Sequence, residues 1–88
     1  MSSKPWYVYI VRCSDGTLYT GVSTNISRRI YAHNSGHGAK YTRSRRPVSI
    51  VYASPEMTQS AALKEEYRIK SLSRKKKLVM IKEQKGGT

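Results

Sequence analysis

The sequence predicts an α/β domain of the α+β kind: a small three-stranded antiparallel sheet flanked by about three helices, in the order β-β-α-β-α-α. Three observations predict it. Two strand-rich runs, WYVYIVRC (6–13) and TLYTGV (17–22), are separated only by Ser14-Asp15-Gly16, a hairpin signature. A third run, VSIVY (48–52), follows Pro47. Two later stretches, 59–72 and 74–84, carry apolar residues at helical spacing. With 88 residues, the chain is read as a single domain, 1–88, with an ordered core from about 6 to 84 and a frayed tail at 85–88.

The first run is aromatic or β-branched on both parities, as in a strand covered on both faces, which predicts a central strand. The hairpin register depends on the loop. A two-residue loop at Asp15-Gly16 sends Tyr9 and Tyr19 to opposite faces. A three-residue loop with Gly16 left-handed pairs Cys13 with Thr17 and Tyr9 with Gly21, and puts Tyr9, Tyr19 and Gly21 on one face. Ser23 or Asn25 then caps a helix reaching about Asn34, stopped by Gly36. Ile26 and Ile30 form its core stripe, with Arg29 and His33 stacked beside it at i and i+4. Residues 35–46, SGHGAKYTRSRR, read as an irregular basic loop. Thr58 caps a helix from Gln59 to about Leu72 with Ala62, Leu63, Ile69 and Leu72 on one side. Ser73 caps the last helix, Arg74 to about Gln84, amphipathic through Leu78, Met80 and Ile81. That helix opens on Arg74-Lys75-Lys76-Lys77, although a first turn favours acids, so an outside anion is expected to offset the charge.

Composition narrows the partner. Seventeen Lys and Arg face five Asp and Glu, a formal net charge of +12. Nucleic acid is the first candidate for so basic a small domain, with DNA ahead of RNA; an anionic membrane surface or a solubilising tail comes second. No apolar run is long enough to span a bilayer and MSSKPW lacks a signal-peptide stretch, so a cytoplasmic protein with no membrane contact is expected. One cysteine, Cys13, builds neither an internal disulfide nor a zinc site by itself and reads as a small strand residue. There is no CxxC pair, HExxH, P-loop or G-x-S-x-G, and five acids leave little for a multi-carboxylate metal centre. Chemistry here has to run on tyrosine, arginine, histidine and one or two glutamates.

Glu66 is the acid that stands out. On a helical wheel centred on Ala62, Glu66 lies about 40° from the middle of the apolar face and Glu65 about 60° away on the other side. A carboxylate so close to a buried face needs a partner. Taken as residues alone, it reads as a salt bridge to Lys70 at i+4 or to an arginine such as Arg29, and the tyrosines read as half-buried strand aromatics.

The ordered set of residues resembles the GIY-YIG nuclease superfamily, in particular its small stand-alone branch. Tyr7-Val8-Tyr9 resembles the first motif and Tyr19-Thr20-Gly21 the second. Arg29 and His33 fall where that family keeps its arginine and histidine, and Glu66-Tyr67-Arg68-Ile69-Lys70 resembles its glutamate helix. GAKYTRSRRPV and SRKKK also match the small branch, and the resemblance runs from about Trp6 to Ile81. Tyr7, Val8 and Thr20 depart from the glycine and isoleucines of the family's name, while both tyrosines are present.

The resemblance implies hydrolysis of a nucleic-acid phosphodiester with Mg2+ or Mn2+, an endonuclease of structure-selective or repair type. It implies Glu66 as metal ligand, Arg29 as phosphate clamp, Tyr9 or Tyr19 orienting and deprotonating the water, and His33 accepting the proton. It favours the three-residue loop, because the tyrosines must converge on one phosphate, with Gly21 leaving room for that phosphate beside Tyr9. Lys40, Arg43, Arg45, Arg46, Lys70, Arg74, Lys75, Lys76 and Lys77 are the expected phosphate contacts. A monomer is expected, with a protein partner as a possible source of targeting. The alternative is a nucleic-acid-binding module that keeps the fold without turnover.

Overall fold

The computed structural model describes residues 4–86, with side-chain environments to residue 84. Strands β1 (Tyr7–Arg12), β2 (Leu18–Ser23) and β3 (Ser49–Ala53) form one antiparallel sheet in the order β2-β1-β3, so the first strand is the central one, as its two-sided apolar pattern predicts. The hairpin uses the three-residue loop. The Cys13 amide donates to the Thr17 carbonyl at 2.8 Å, the Gly16 amide returns to the Cys13 carbonyl at 2.9 Å, and Gly16 has φ +86°. Only glycine takes that backbone freely. Asp15 secures the turn by accepting from the Thr17 amide and hydroxyl.

Helix α1 (Ile26–Asn34) starts where Asn25 accepts from the Arg28 amide at 3.0 Å, and Gly36, at φ +85°, ends the segment. The basic stretch after it is not wholly irregular: residues Lys40–Arg43 form the short helix α2. Helix α3 (Gln59–Lys70) is capped by Thr58 and stops two residues before the expected Leu72. Helix α4 (Arg74–Gly86) is capped by Ser73, whose hydroxyl accepts from the Lys76 amide, and runs into the segment expected to fray; residues 87 and 88 lie outside the described residues.

The sheet separates two cores. On one face Val8, Ile10, Ala62, Ile69 and Ile81 are buried together under α3 and α4. On the other, Tyr9, Val11, Cys13 and Val48 pack with Tyr19, Ile26 and Ile30 under α1. Two expected core residues are not there. Leu63 is 46% exposed and Leu78 41% exposed, because each helix meets the sheet along a stripe too narrow to cover every apolar position on its inner side. The third strand is anchored from two directions. The Asn34 side chain clamps the Val48 amide and carbonyl just before β3, and the Gln84 side chain clamps both backbone groups of Ala53. Neither clamp has a signature in periodicity.

Candidate active site

The site begins with the register. Tyr9 lies opposite Gly21, and Tyr9, Tyr19 and Gly21 share the α1 face. A Cβ on residue 21 would stand 2.6 Å from the Tyr9 hydroxyl oxygen, so the absent side chain makes room for Tyr9 itself. That corrects the expectation of a phosphate in this space: the tyrosine already fills it.

His33 comes down from the last turn of α1 and is fully buried. The Tyr9 hydroxyl lies 2.8 Å from its Nε2, and Thr42 Oγ1, on α2, lies 2.8 Å from its Nδ1. The Thr42 hydroxyl donates its only hydrogen to the Ala39 carbonyl at 2.9 Å. It therefore accepts at His33, Nδ1 carries the hydrogen, and neutral Nε2 accepts from Tyr9. The proton of the buried phenol is aimed at an imidazole whose tautomer is set from behind. Gly38 closes the back of this relay: a Cβ there would fall 2.2 Å from His33 Nδ1.

The electrostatics converge on the same hydroxyl. The pKa of Tyr9 is raised above its ordinary value, chiefly by burial; the nearby Arg29 guanidinium opposes the rise, while Tyr19 and Glu66 add to it. Burial, and then the positive charge of Arg29, hold the His33 pKa below its ordinary value, which keeps the ring neutral and able to accept. Of the five residues singled out for chemistry, Tyr9 thus has His33 at hydrogen-bond distance and feels the charge of the other three. Tyr19 is half-buried and packs edge-on to His33 with centroids 5.4 Å apart.

Glu66 is only 19% exposed and pairs with Lys70 at 3.2 Å. The reading from residues alone was a salt bridge, and Lys70 is the partner. Glu65 takes a different one, bonding Arg68 through both oxygens at 2.8 and 2.7 Å. The two neighbouring acids therefore diverge, as the wheel predicts: Glu65 is felt at Tyr52 on β3, and Glu66 at Tyr9. A single carboxylate suits Mg2+, which retains most of its waters. Lys70 is half exposed. Among the described residues, no three His, Cys, Asp or Glu side chains gather into a larger metal cluster.

The basic residues divide into two sets. Lys40, Arg43, Arg74, Lys75 and Lys76 are exposed, Lys77 less so. Arg45 and Arg46 direct donors to neighbouring groups of the chain itself. Arg45 binds Asp15 at 3.1 Å and the Tyr41 carbonyl at 2.8 Å, and Arg46 reaches the Arg43 and Asn34 carbonyls. Lys70 belongs with this second set through Glu66. Periodicity reveals neither Thr42 nor Tyr41 as part of the site, because both lie in the stretch read as loop; the glycine pair in SGHG was the one available signal for the tight packing over His33.

A sheet with a paired tyrosine hairpin, an arginine and histidine on the following helix and a glutamate on the next long helix defines a class, and comparison bears this out. Residues 5–79 match the GIY-YIG catalytic domain, and the chain belongs to that family. Relatives that match over most of their own length are small proteins too. The UPF0213 protein of Staphylococcus saprophyticus is 57% identical over 77 residues, covering 88% of this chain and 94% of that one. The UPF0213 protein of Desulfotalea psychrophila is 55% identical over 83 residues, 93% of this chain and 76% of its own. Two solution NMR structures share the fold. The UPF0213 protein of Bacillus halodurans matches with a TM-score of 0.58 at 45% identity, covering 89% of this chain and 83% of that one. A protein of E. faecalis matches with a TM-score of 0.62 at 43% identity, over 92% and 86%. Membership points to endonuclease action on nucleic acid, in a family that generally uses divalent metal ions. No helix among the described residues is long and apolar enough to cross a membrane.

Proposed function

We propose that this domain is a divalent-ion-dependent endonuclease that hydrolyses a phosphodiester bond of DNA at the Tyr9 hydroxyl. The observation that carries the reading is the convergence there: His33 accepts from that hydroxyl, and Arg29, Tyr19 and Glu66 all act on its ionisation. Arg29 supplies a guanidinium that clamps the scissile phosphate. Tyr19, the half-buried member of the pair, orients the attacking water. Tyr9 takes up the water's proton as it releases its own to His33 Nε2, so the charge left behind is an imidazolium steadied by Thr42. Glu66 would hold a magnesium or manganese ion, which would supply positive charge to offset that of the phosphate. Lys40, Arg43 and the cluster at the start of α4 supply sequence-independent attraction to the backbone.

The test is cleavage of labelled DNA with magnesium and manganese, run with the wild-type chain, Glu66→Ala and Glu65→Ala. Wild type should cut, Glu66→Ala should bind at least as tightly and not cut, and Glu65→Ala should retain activity. Cleavage surviving in Glu66→Ala would overturn the metal assignment. The Glu66–Lys70 pair favours one other reading, in which the carboxylate is a structural partner and the domain binds DNA without cutting it. Wild type inactive across the panel, with binding unimpaired, would select that reading.

A further inference from the structure

Arg28 has no part in the chemistry above, yet it immediately precedes the arginine assigned to the phosphate. Successive positions on a helix point about 100° apart, so the two guanidinium groups leave α1 in different directions. Arg29 is half-buried and acts on the Tyr9 hydroxyl, whereas Arg28 is exposed. Both line one open groove of about 280 Å3, completed by Ser23, Thr24, Asn25 and Ala32, and no carboxylate lines it. Two of its polar side chains are already engaged in starting the helix: the Ser23 hydroxyl binds the Asn25 backbone, and the Asn25 side chain accepts from the Arg28 amide. Among the described residues the ion pairs take Arg45, Arg68 and Lys70, and none takes the Arg28 guanidinium. The cleft beside Arg43 and Arg46 differs, because there Arg46 gives its donors to the Arg43 and Asn34 carbonyls.

From this arrangement we infer that the groove is a second phosphate subsite, in which Arg28 binds the backbone phosphate next to the one held by Arg29. The inference rests on the nuclease reading for calling that first phosphate scissile. A guanidinium meets phosphate oxygens with two parallel N–H donors, and a nucleic-acid strand carries one phosphate per nucleotide. Two arginines adjacent in the chain, on one acid-free groove, therefore suit two adjacent phosphates. The consequence is specificity. A bond with a second charged phosphate beside it is cut in preference to one without, which directs the site to the interior of a strand. The contact is to the backbone alone and carries no base preference.

The test uses the whole chain and a labelled DNA in which the cut bond has been mapped. A neutral methylphosphonate is then placed on the upstream or the downstream neighbour of that bond. Arg28→Ala should lower kcat/KM roughly tenfold, as for one charge-assisted hydrogen bond, and leave the melting temperature unchanged, since the side chain is exposed. A methylphosphonate on one of the two neighbours should lower wild-type cutting by a similar factor and lower Arg28→Ala cutting no further. Arg28→Lys should recover part of the loss, because it keeps the charge without the fork. Losses that multiply at both neighbours would overturn the inference, since diffuse attraction predicts no coupling to one position. So would an Arg28→Ala that cuts as well as wild type. A second arm needs no turnover. Without divalent ions, wild type should bind a thymidine trinucleotide with both phosphates charged more tightly than the same trinucleotide with one made neutral, and Arg28→Ala should bind the two nearly alike. A difference that survives in Arg28→Ala would overturn the inference. Absence of cutting with this binding pattern intact would sink the nuclease reading and leave the second subsite standing.

Discussion

The two faces of the central strand are built from adjacent residues and do opposite work. Val8 and Ile10 point into a face made of aliphatic side chains, where the stabilising term is area removed from water and the neighbours could be exchanged for others of like volume. Tyr9, one residue along, points into a face where a phenol, an imidazole and a threonine hydroxyl satisfy one another, and where two glycines are needed because no Cβ fits. Among the described residues no buried side-chain nitrogen or oxygen is left without a partner, so this polar face is as complete as the oily one. A buried polar network tolerates less change than an aliphatic one, because removing one member strands the next.

That contrast can be broken from either side. The largest loss of stability is expected on the aliphatic face. Ile10→Ala should cost about 2–5 kcal/mol in urea unfolding by leaving a cavity, while DNA cleavage by the fraction still folded stays near normal. Gly38→Ala comes next. Its Cβ would overlap His33, including the backbone Cα at 2.7 Å, so about 1–3 kcal/mol of stability should go, together with activity. Tyr9→Phe should cost about 1–2 kcal/mol, because His33 Nε2 loses its donor in a buried place, and should reduce cleavage by roughly a hundredfold or more. If Tyr9→Phe proved as harmless to cleavage as Ile10→Ala, the division of labour between the faces would be wrong.

The smallest effect is the pH dependence, and its sign follows from His33. The folded pKa lies below the ordinary value of about 6.5, so between the two values the unfolded chain holds a proton that the folded chain does not. Stability is therefore full above about 6.5 and declines as pH falls through that value toward the folded one. Melting temperatures at pH 7.5, 6.5 and 5.5 should decrease in that order for wild type and much less for His33→Gln. Glu65, whose pKa is lowered by Arg68, adds a loss of the same sign only below the ordinary carboxylate range.

Much of this molecule is decided by local chemistry. The left-handed Gly16, the Asn25 and Thr58 caps and the two-sided apolar run at 7–12 each depend on interactions within a few residues, which is why strands and helices could be read directly from the sequence, while the hairpin left two registers open and only the family resemblance favoured Tyr9–Gly21. The family was readable too, from an ordered pattern of tyrosines, Arg29, His33 and Glu66. What only the tertiary structure decided is which groups meet across long stretches of chain. Thr42 setting the His33 tautomer, Gly38 closing over that ring, Tyr41 stacking on Tyr19 and Arg45 turning from solvent to Asp15 join residues separated in sequence by 5 to 30 positions. A loop residue has no period to reveal it. Its role is set by the surface it lands on, and that surface exists only once the sheet and α1 have packed.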